Sequence, residues 1–301
     1  MNIAKTIKVE PGHYVVAVSG GVDSMVLLDI LHKHPELKLT VAHFDHGIRE
    51  DSRQDRILVE RVAKAYGLPF VYSEGALGAD TNEEKARNAR YEFLRKVQKQ
   101  TSSHGIITAH HMNDVMETAT HNLLRGTGRK GMTSLKSVDG ILRPLLHLPK
   151  THLINYAEAN KLQWREDSTN NDMRFRRNYI RKQLLPLMQE RSAEKYEQFR
   201  TLVKRQADLN RAIDSGLHTM LHLQPDTQTL RRHDVIILPH AVARELVGEW
   251  LRQNGKREFS RKHLERATVA LKTARPRTTL VLDKVYKIEF GKHHARLVGK
   301  Q

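Results

Sequence analysis

Short apolar runs alternate with longer stretches of helical periodicity over the first 150 positions. Tyr14–Val18, Leu39–Phe44, Phe70–Tyr72 and Ile106–Thr108 are each brief and rich in β-branched or aromatic residues. That is the pattern of strands buried on both faces. Between them the spacing predicts helices. Val22–His32 gathers Val22, Met25, Val26, Leu28 and Leu31 on one side, with Asp29 among them. Ser52–Tyr66 repeats Ile57, Leu58, Val62 and Ala65 before a stop at Gly67-Leu68-Pro69, and Asn82–Lys99 opens on acidic Glu83 and Glu84. Such alternation predicts an α/β fold, a Rossmann-like parallel sheet with helices on both faces.

After about Pro149 the strand signals thin. Lys150–Lys161 and Asn178–Leu187 read as helices, the second with Pro186 near its end, and Ser192–His222 reads as one long polar helical stretch. Val235–Leu238 and Thr278–Leu282 read as strands, Ala241–Gln253 and Arg261–Leu271 as helices. The expected organisation is a sheet domain over 1–188, a helical connector over 189–222 and a smaller mixed α/β C-terminal domain over 223–301.

Charge changes this picture more than composition does. The net charge is +17, and it is uneven: residues 1–150 hold 21 Lys+Arg against 17 Asp+Glu, residues 151–301 hold 30 against 17. A field that lopsided attracts a polyanion, nucleic acid being the commonest, though a merely basic surface stays open on charge alone. The smaller domain is expected to bind RNA. The chain has no cysteine, which excludes disulfides, zinc–thiolate sites and thiol catalysis. No apolar run approaches the ~18 residues of a membrane span, and Met1 to Gly12 has no apolar stretch of signal-peptide type. The expected location is cytoplasmic, with no membrane partner.

The first strand runs into Ser19-Gly20-Gly21-Val22-Asp23-Ser24 and a helix follows at once. Two glycines allow a sharp turn and close approach to an anion, helix-start N–H groups point at its oxygens, and Ser19 and Ser24 add hydroxyls. The loop has no lysine, so it is not a Walker A loop. Asp23 would repel phosphates unless a Mg²⁺ sits between. The alternative is a strand-to-helix turn that simply favours Gly and Ser. This hexapeptide resembles the signature of the N-type ATP pyrophosphatases, which implies cleavage of ATP between its α- and β-phosphates.

Four further segments resemble the tRNA(Ile)-lysidine synthetase family: Ala42-His43-Phe44-Asp45-His46-Gly47-Ile48-Arg49; Ala109-His110-His111-Met112-Asn113-Asp114, continuing through Glu117-Thr118 to Gly128; Arg143-Pro144-Leu145-Leu146; and Glu166-Asp167-Ser168-Thr169-Asn170 with Arg177-Asn178-Tyr179-Ile180-Arg181 behind. With the loop they span residue 14 to about 186. The smaller domain matches only in general character, and members of that family are often longer. The resemblance implies ATP, Mg²⁺, L-lysine and a tRNA(Ile) with a CAU anticodon as reactants. The wobble cytidine 2-oxygen attacks the α-phosphate, and the lysine ε-amine then expels AMP to leave lysidine. A homodimer is left open.

Asp23 and Asp114 lie just beyond strand C-terminal ends, where open α/β sheets bind ligands, and are expected to share Mg²⁺. His110, four before Asp114, would sit one helical turn away to contact phosphate or accept a proton; a polar strand exit without chemistry is the alternative. That family often has His-His-x-Asp-Asp, whereas Asn113 stands at the first acidic place here, which puts more weight on Asp114. Arg87 and Arg90 share a helix face, and Arg87 is preferred as the active-site contact over a merely solvated basic face. Arg174-Phe175-Arg176-Arg177-Asn178-Tyr179-Ile180-Arg181-Lys182 interleaves cations with aromatics. Its Arg174, Arg176, Arg177, Arg181 and Lys182 are expected to meet tRNA phosphates, with the aromatics stacking on bases or facing the core. Gly126-Thr127-Gly128-Arg129-Lys130-Gly131 fits G-x-G-x-x-G but follows a predicted helix, Asp114–Arg125, so a dinucleotide reading fails. Arg129 and Lys130 there suit RNA or closure over ATP.

Competing readings are a tRNA thiolase or a GMP or asparagine synthetase, both disfavoured by the absence of cysteine, and a non-catalytic RNA-binding protein, disfavoured by the intact loop and Asp114.

Overall fold

A computed structural model describes residues 3–45, 47, 52–75, 83–138, 140–165, 176–256 and 259–299. Arg174, Phe175, the stretch 166–170, His46, Ile48 and Arg49 lie outside them. The chain divides into two compact units, Met1–Gln206 and Ala207–Gln301.

In the first unit five parallel strands form one sheet: β1 (Gly12–Ala17), β2 (Leu37–Asp45), β3 (Phe70–Glu74), β4 (Gly105–Ile107) and β5 (Ile141–Leu142). Their order is β3-β2-β1-β4-β5. The chain builds outward from β1 to β3, then returns to the other side of β1, so the order reverses between β1 and β4. Crossovers that diverge from such a point leave a crevice at the strands' carboxyl ends. The four strands read from sequence are present with ends shifted by one or two residues. β5 is too short to give a periodic signal.

Helix α1 (Val22–His32) buries nine of its residues, Val22 and Ser24 to Leu31. It is not the one-sided helix expected from its spacing, because a helix covered nearly all round is a core element. Its buried Asp29 needs partners, and three converge: Lys33 Nζ (2.7 Å) and Tyr156 Oη (2.7 Å) donate to Oδ2, Tyr66 Oη (2.8 Å) to Oδ1. They tie α1 to the residue after α2 (Ser52–Ala65) and to a later helix, Lys150–Ala159. Burial alone would raise the Asp29 carboxyl, but the bonds from Lys33, Tyr156 and Tyr66 outweigh it and hold it below the ordinary 3.8.

Helices α3 (Glu83–Gln100), α4 (Met112–Leu124), α5 (Arg129–Met132) and α6 (Lys150–Ala159) follow in this unit. The helix expected over Asn178–Leu187 is broken. It runs as α7 (Arg176–Tyr179), a π-helical turn (Ile180–Leu184) and α8 (Leu185–Arg191). Pro186 has no N–H for the carbonyl one α-turn back, and the Leu185 N–H reaches Ile180 O instead.

Helix α9 (Ala193–His222) follows, and its Leu217 and Leu221 belong to the second core. The second unit holds α10 (Arg232–Ile237), α11 (His240–Gln253), α12 (Arg261–Thr273) and an antiparallel sheet of β6 (Thr229–Arg231), β7 (Thr278–Val281), β8 (Tyr286–Phe290) and β9 (His294–Gly299), in the order β6-β9-β8-β7. The strand expected over Val235–Leu238 is instead mostly α10. Its β-branched run favours a strand locally, but buried Arg232 overrides that preference. Arg232 donates to Leu271 O (2.9 Å), Ala274 O (2.6 Å) and Gly291 O (3.0 Å), closing the C-terminal end of α12 where a cation suits the helix dipole. Val235 is then buried while Ile236 and Ile237 face out.

Asp29→Asn should lower unfolding free energy at pH 7 by about 2–3 kcal/mol, since it removes a charge-assisted cluster around a buried carboxylate. A depressed folded-state value means the stabilisation is full well above 3.8 and disappears as pH falls through and below it. Urea melts of both proteins should therefore differ at pH 7, and the difference should shrink steadily as pH is taken below 3.8. A difference that does not shrink there would count against the carboxylate.

Candidate active site

The turn from β1 to α1 lines a crevice. Gly20 takes φ +93°, a conformation open to glycine and strained for residues with a Cβ. Arg165 straps the turn, its N–H donating to Gly20 O (3.0 Å) and its Nε to Asp55 Oδ1 (2.7 Å). Ser24 Oγ accepts Ser19 N–H (3.2 Å) and donates to Gly21 O (2.9 Å), while Ser19 Oγ accepts Gly21 N–H (3.4 Å). Both serines thus brace the loop's own backbone. Gly21 is the N-cap of α1 and supplies no side-chain cap. The first-turn amides, at the positive end of the helix, are the donors offered to an anion.

The crevice has a volume of about 350 Å³ and is lined by Ser19, Gly21, Asp23, Ser24, His110 and Asp114 among others. Gly20 completes the turn and Val22 anchors it in the core. Asp23 and Asp114 converge on His111, whose Nε2 lies 3.5 Å from Asp23 Oδ2 and 3.5 Å from Asp114 Oδ2. Its tautomer follows from its neighbour. Asn113 N–H donates to His111 Nδ1 (3.2 Å), so the ring proton sits on Nε2, between the two carboxylates. Asp114 Oδ2 accepts the His111 N–H at 2.9 Å, closing a capping box on α4.

Burial alone would raise the Asp23 carboxyl, but His111 and the Lys150 ammonium outweigh it and hold it low. Asp23 Oδ1 is buried without a hydrogen-bond partner. An orphaned carboxylate oxygen beside a second carboxylate suits a divalent cation. Among the described residues no set of three or more His, Cys, Asp or Glu could cage one, so phosphate and water would complete its shell, the habit of Mg²⁺ rather than of structural zinc.

The other wall is cationic. His110 precedes α4 rather than sharing its face with Asp114, so the helical-turn argument fails even though both line the crevice. Its Nδ1 lies 2.9 Å from Thr108 Oγ1. Burial, then the charges of Arg143, Arg90 and Arg87, push its pKa down to about 3. Arg90 lines the crevice, whereas Arg87 acts on it by charge, its guanidinium 4.8 Å over the Tyr91 ring. Buried Arg143 donates to Tyr91 Oη (3.3 Å).

Two cations of the arginine segment are engaged by carboxylates of α4. Arg181 Nε donates to buried Glu117 Oε2 (2.7 Å) and Nη2 reaches Asp114 Oδ1 (3.4 Å), while Arg177 Nε stands 3.9 Å from Glu117 Oε1. Burial holds the Glu117 carboxyl above its ordinary value despite these charges. Tyr179 is exposed rather than in the core, and Arg176 and Lys182 are exposed. Arg129 and Lys130 are half-buried on α5, outside the crevice lining.

His111, Lys150, Arg143 and the Arg165–Asp55 pair were not read from sequence as site residues. His111 had a signal, as the cap position three before Asp114. Lys150 and Arg165 arrive from distant segments, and nothing in local spacing marks them.

A family model described as the PP-loop domain matches residues 2–188. The chain is similar to the tRNA(Ile)-lysidine synthase of Thermotoga maritima, 41% identical over 191 residues that cover 60% of this chain and 46% of that protein. It is also similar to the tRNA(Ile)-lysidine synthase of Francisella tularensis subsp. holarctica, 26% identical over 301 residues covering 96% and 75%. The chain therefore spans about half the length of the first of these relatives. Among solved structures, the U34-tRNA thiolase NcsA from Methanococcus maripaludis shares the fold, with TM-score 0.55, 15% identity and coverage of 67% of this chain and 76% of that one. A match over nearly the whole parallel-sheet unit, on a turn folded for an anion, settles the family: the chain belongs to the PP-loop family.

Proposed function

We propose that the chain acts as a tRNA(Ile)-lysidine synthase in the cytoplasm, using ATP to adenylate the wobble cytidine of the CAU anticodon and then joining L-lysine at C2. The observation that carries this reading is the placing of the uncapped N-terminus of α1 and the Asp23–Asp114 pair in one crevice, in a chain similar to curated proteins of that name.

ATP would lay its phosphates on the amides of the Ser19–Ser24 loop. Mg²⁺, held by Asp23 and Asp114, would supply charge neutralisation on the triphosphate. His110 stays neutral at physiological pH, so it offers a hydrogen bond to the reacting phosphoryl group rather than an imidazolium charge. Arg90, with Arg87 and Arg143 behind it, provides the fixed positive potential for the charge that develops there. The Glu117–Arg181 pair holds the end of the arginine segment against α4. From that segment Arg176, Arg177, Arg181, Lys182 and Arg174 are proposed to meet anticodon-loop phosphates, with exposed Tyr179 as a stacking surface. Arg129 and Lys130 would extend that contact, and the smaller domain, in the half of the chain with the larger basic surplus, would also bind tRNA.

Incubation with ATP, labelled lysine and total tRNA should place label in tRNA. Pyrophosphate release without label would reject the lysine step. Asp114→Asn keeps an oxygen for the capping box but removes the charge, and should cut pyrophosphate release by at least about a hundredfold while tRNA still binds. Undiminished release would remove Asp114 from the mechanism.

Binding of tRNA should weaken steeply with salt, with a log–log slope steeper than about −3. A flat dependence would contradict a phosphate-led interface.

In the nucleotide-free protein the His110 ring should show no titration by NMR between pH 5 and 8, taking up a proton only toward about 3. The unfolded chain takes that proton near 6.5, so acidification below 6.5 should cost folding stability through this ring. A midpoint near 6.5 in the folded protein would refute the buried, arginine-walled placement.

A further inference from the structure

The loop from Ser19 to Ser24 contains no cationic side chain, yet one reaches it from a distant part of the chain. Lys150, the first residue of α6, sets its Nζ 3.6 Å from Asp23 Oδ2. Its backbone is fixed rather than left to chance. Pro149 caps α6 without a side-chain bond, and the vacant role is taken by another helix, with Lys150 N–H donating to Asn113 Oδ1 at 3.0 Å. A second link runs alongside it, Met112 N–H to Leu148 O at 2.9 Å, and Leu148 is buried. The starts of α4 and α6 are thereby stapled together beside the phosphate turn.

Asn113 holds two positive or proton-bearing groups at once. Its backbone N–H orients His111, and its side-chain oxygen orients Lys150. Both then face the same oxygen, Asp23 Oδ2. A neutral amide at this place caps α6 without adding a charge that would draw the ammonium away from Asp23. The Lys150 side chain is 45% exposed, so its ammonium has room to leave Asp23 for a ligand.

On the nucleotide reading given above, we infer that Lys150 is the lysine the loop itself lacks, delivered from α6 to the outer phosphates of a bound nucleoside triphosphate, and that Asn113 is the residue that positions it. Asp23 lies in the first turn of α1, at the end of the helix where those phosphates would rest, so the ammonium needs only a side-chain rotation to exchange carboxylate for phosphate. The contact is made with the part of ATP that leaves and not with the part that is transferred.

The test compares binding of ATP and AMP, by calorimetry without tRNA, to the wild type, Lys150→Met, Lys150→Arg and Asn113→Leu. Lys150→Met should weaken ATP roughly tenfold to a hundredfold, the worth of one charge-assisted contact, with AMP affinity within about twofold of wild type. Lys150→Arg should recover most of the loss. Asn113→Leu should lower the ATP-to-AMP affinity ratio in the same direction by a smaller factor, a selectivity that a purely structural role would not move. Unchanged ATP affinity in Lys150→Met, or equal losses for ATP and AMP, would overturn the inference. A wild type that binds neither nucleotide would instead sink the nucleotide reading on which it rests.

Discussion

An anion-binding turn depends on the backbone N–H groups of a helix start, and the first unit is arranged to hold such a turn in place. Glycine 20 provides the left-handed step. The two serines hydrogen-bond inward, so the loop is rigid before any ligand arrives, and Arg165 pins it to Asp55 from outside. The helix behind it is buried nearly all round, and its one charged core residue is locked by three donors. A turn mounted on so fixed a helix keeps its donors aimed without reorganisation, which is where such donors gain most over water.

Charge completes the arrangement by separation. The carboxylates Asp23 and Asp114 meet at the His111 proton, while the charges of Arg143, Arg90 and Arg87 keep His110 neutral. A polyphosphate with its cation suits the first group, and a reacting phosphoryl group suits the second. Each group is drawn from segments far apart in the chain that the reversal of strand order between β1 and β4 brings together.

The parallel sheet was legible because strands buried on both faces announce themselves as short apolar runs and the helices between them as periodic ones. The loop was legible because its chemistry is local. What escaped depended on tertiary partners. α10 looked like a strand until Arg232 tied it to the end of α12. The pairing of Arg181 with buried Glu117 spans 64 positions and left no local signal. Lys150 and Asn113 touch across 37 positions, and no spacing rule connects them. His110 was placed on the right crevice by a helical argument that the structure does not support, since α4 begins only at Met112.

The central claim is that the Ser19–Ser24 backbone grips a nucleotide's phosphates, and amide NMR reads those donors directly. On addition of ATP with Mg²⁺, the N–H resonances of Val22, Asp23 and Ser24 should shift downfield and become protected from exchange, with those of β8 and β9 unmoved. ATP that binds while these three amides stay unperturbed would contradict the account.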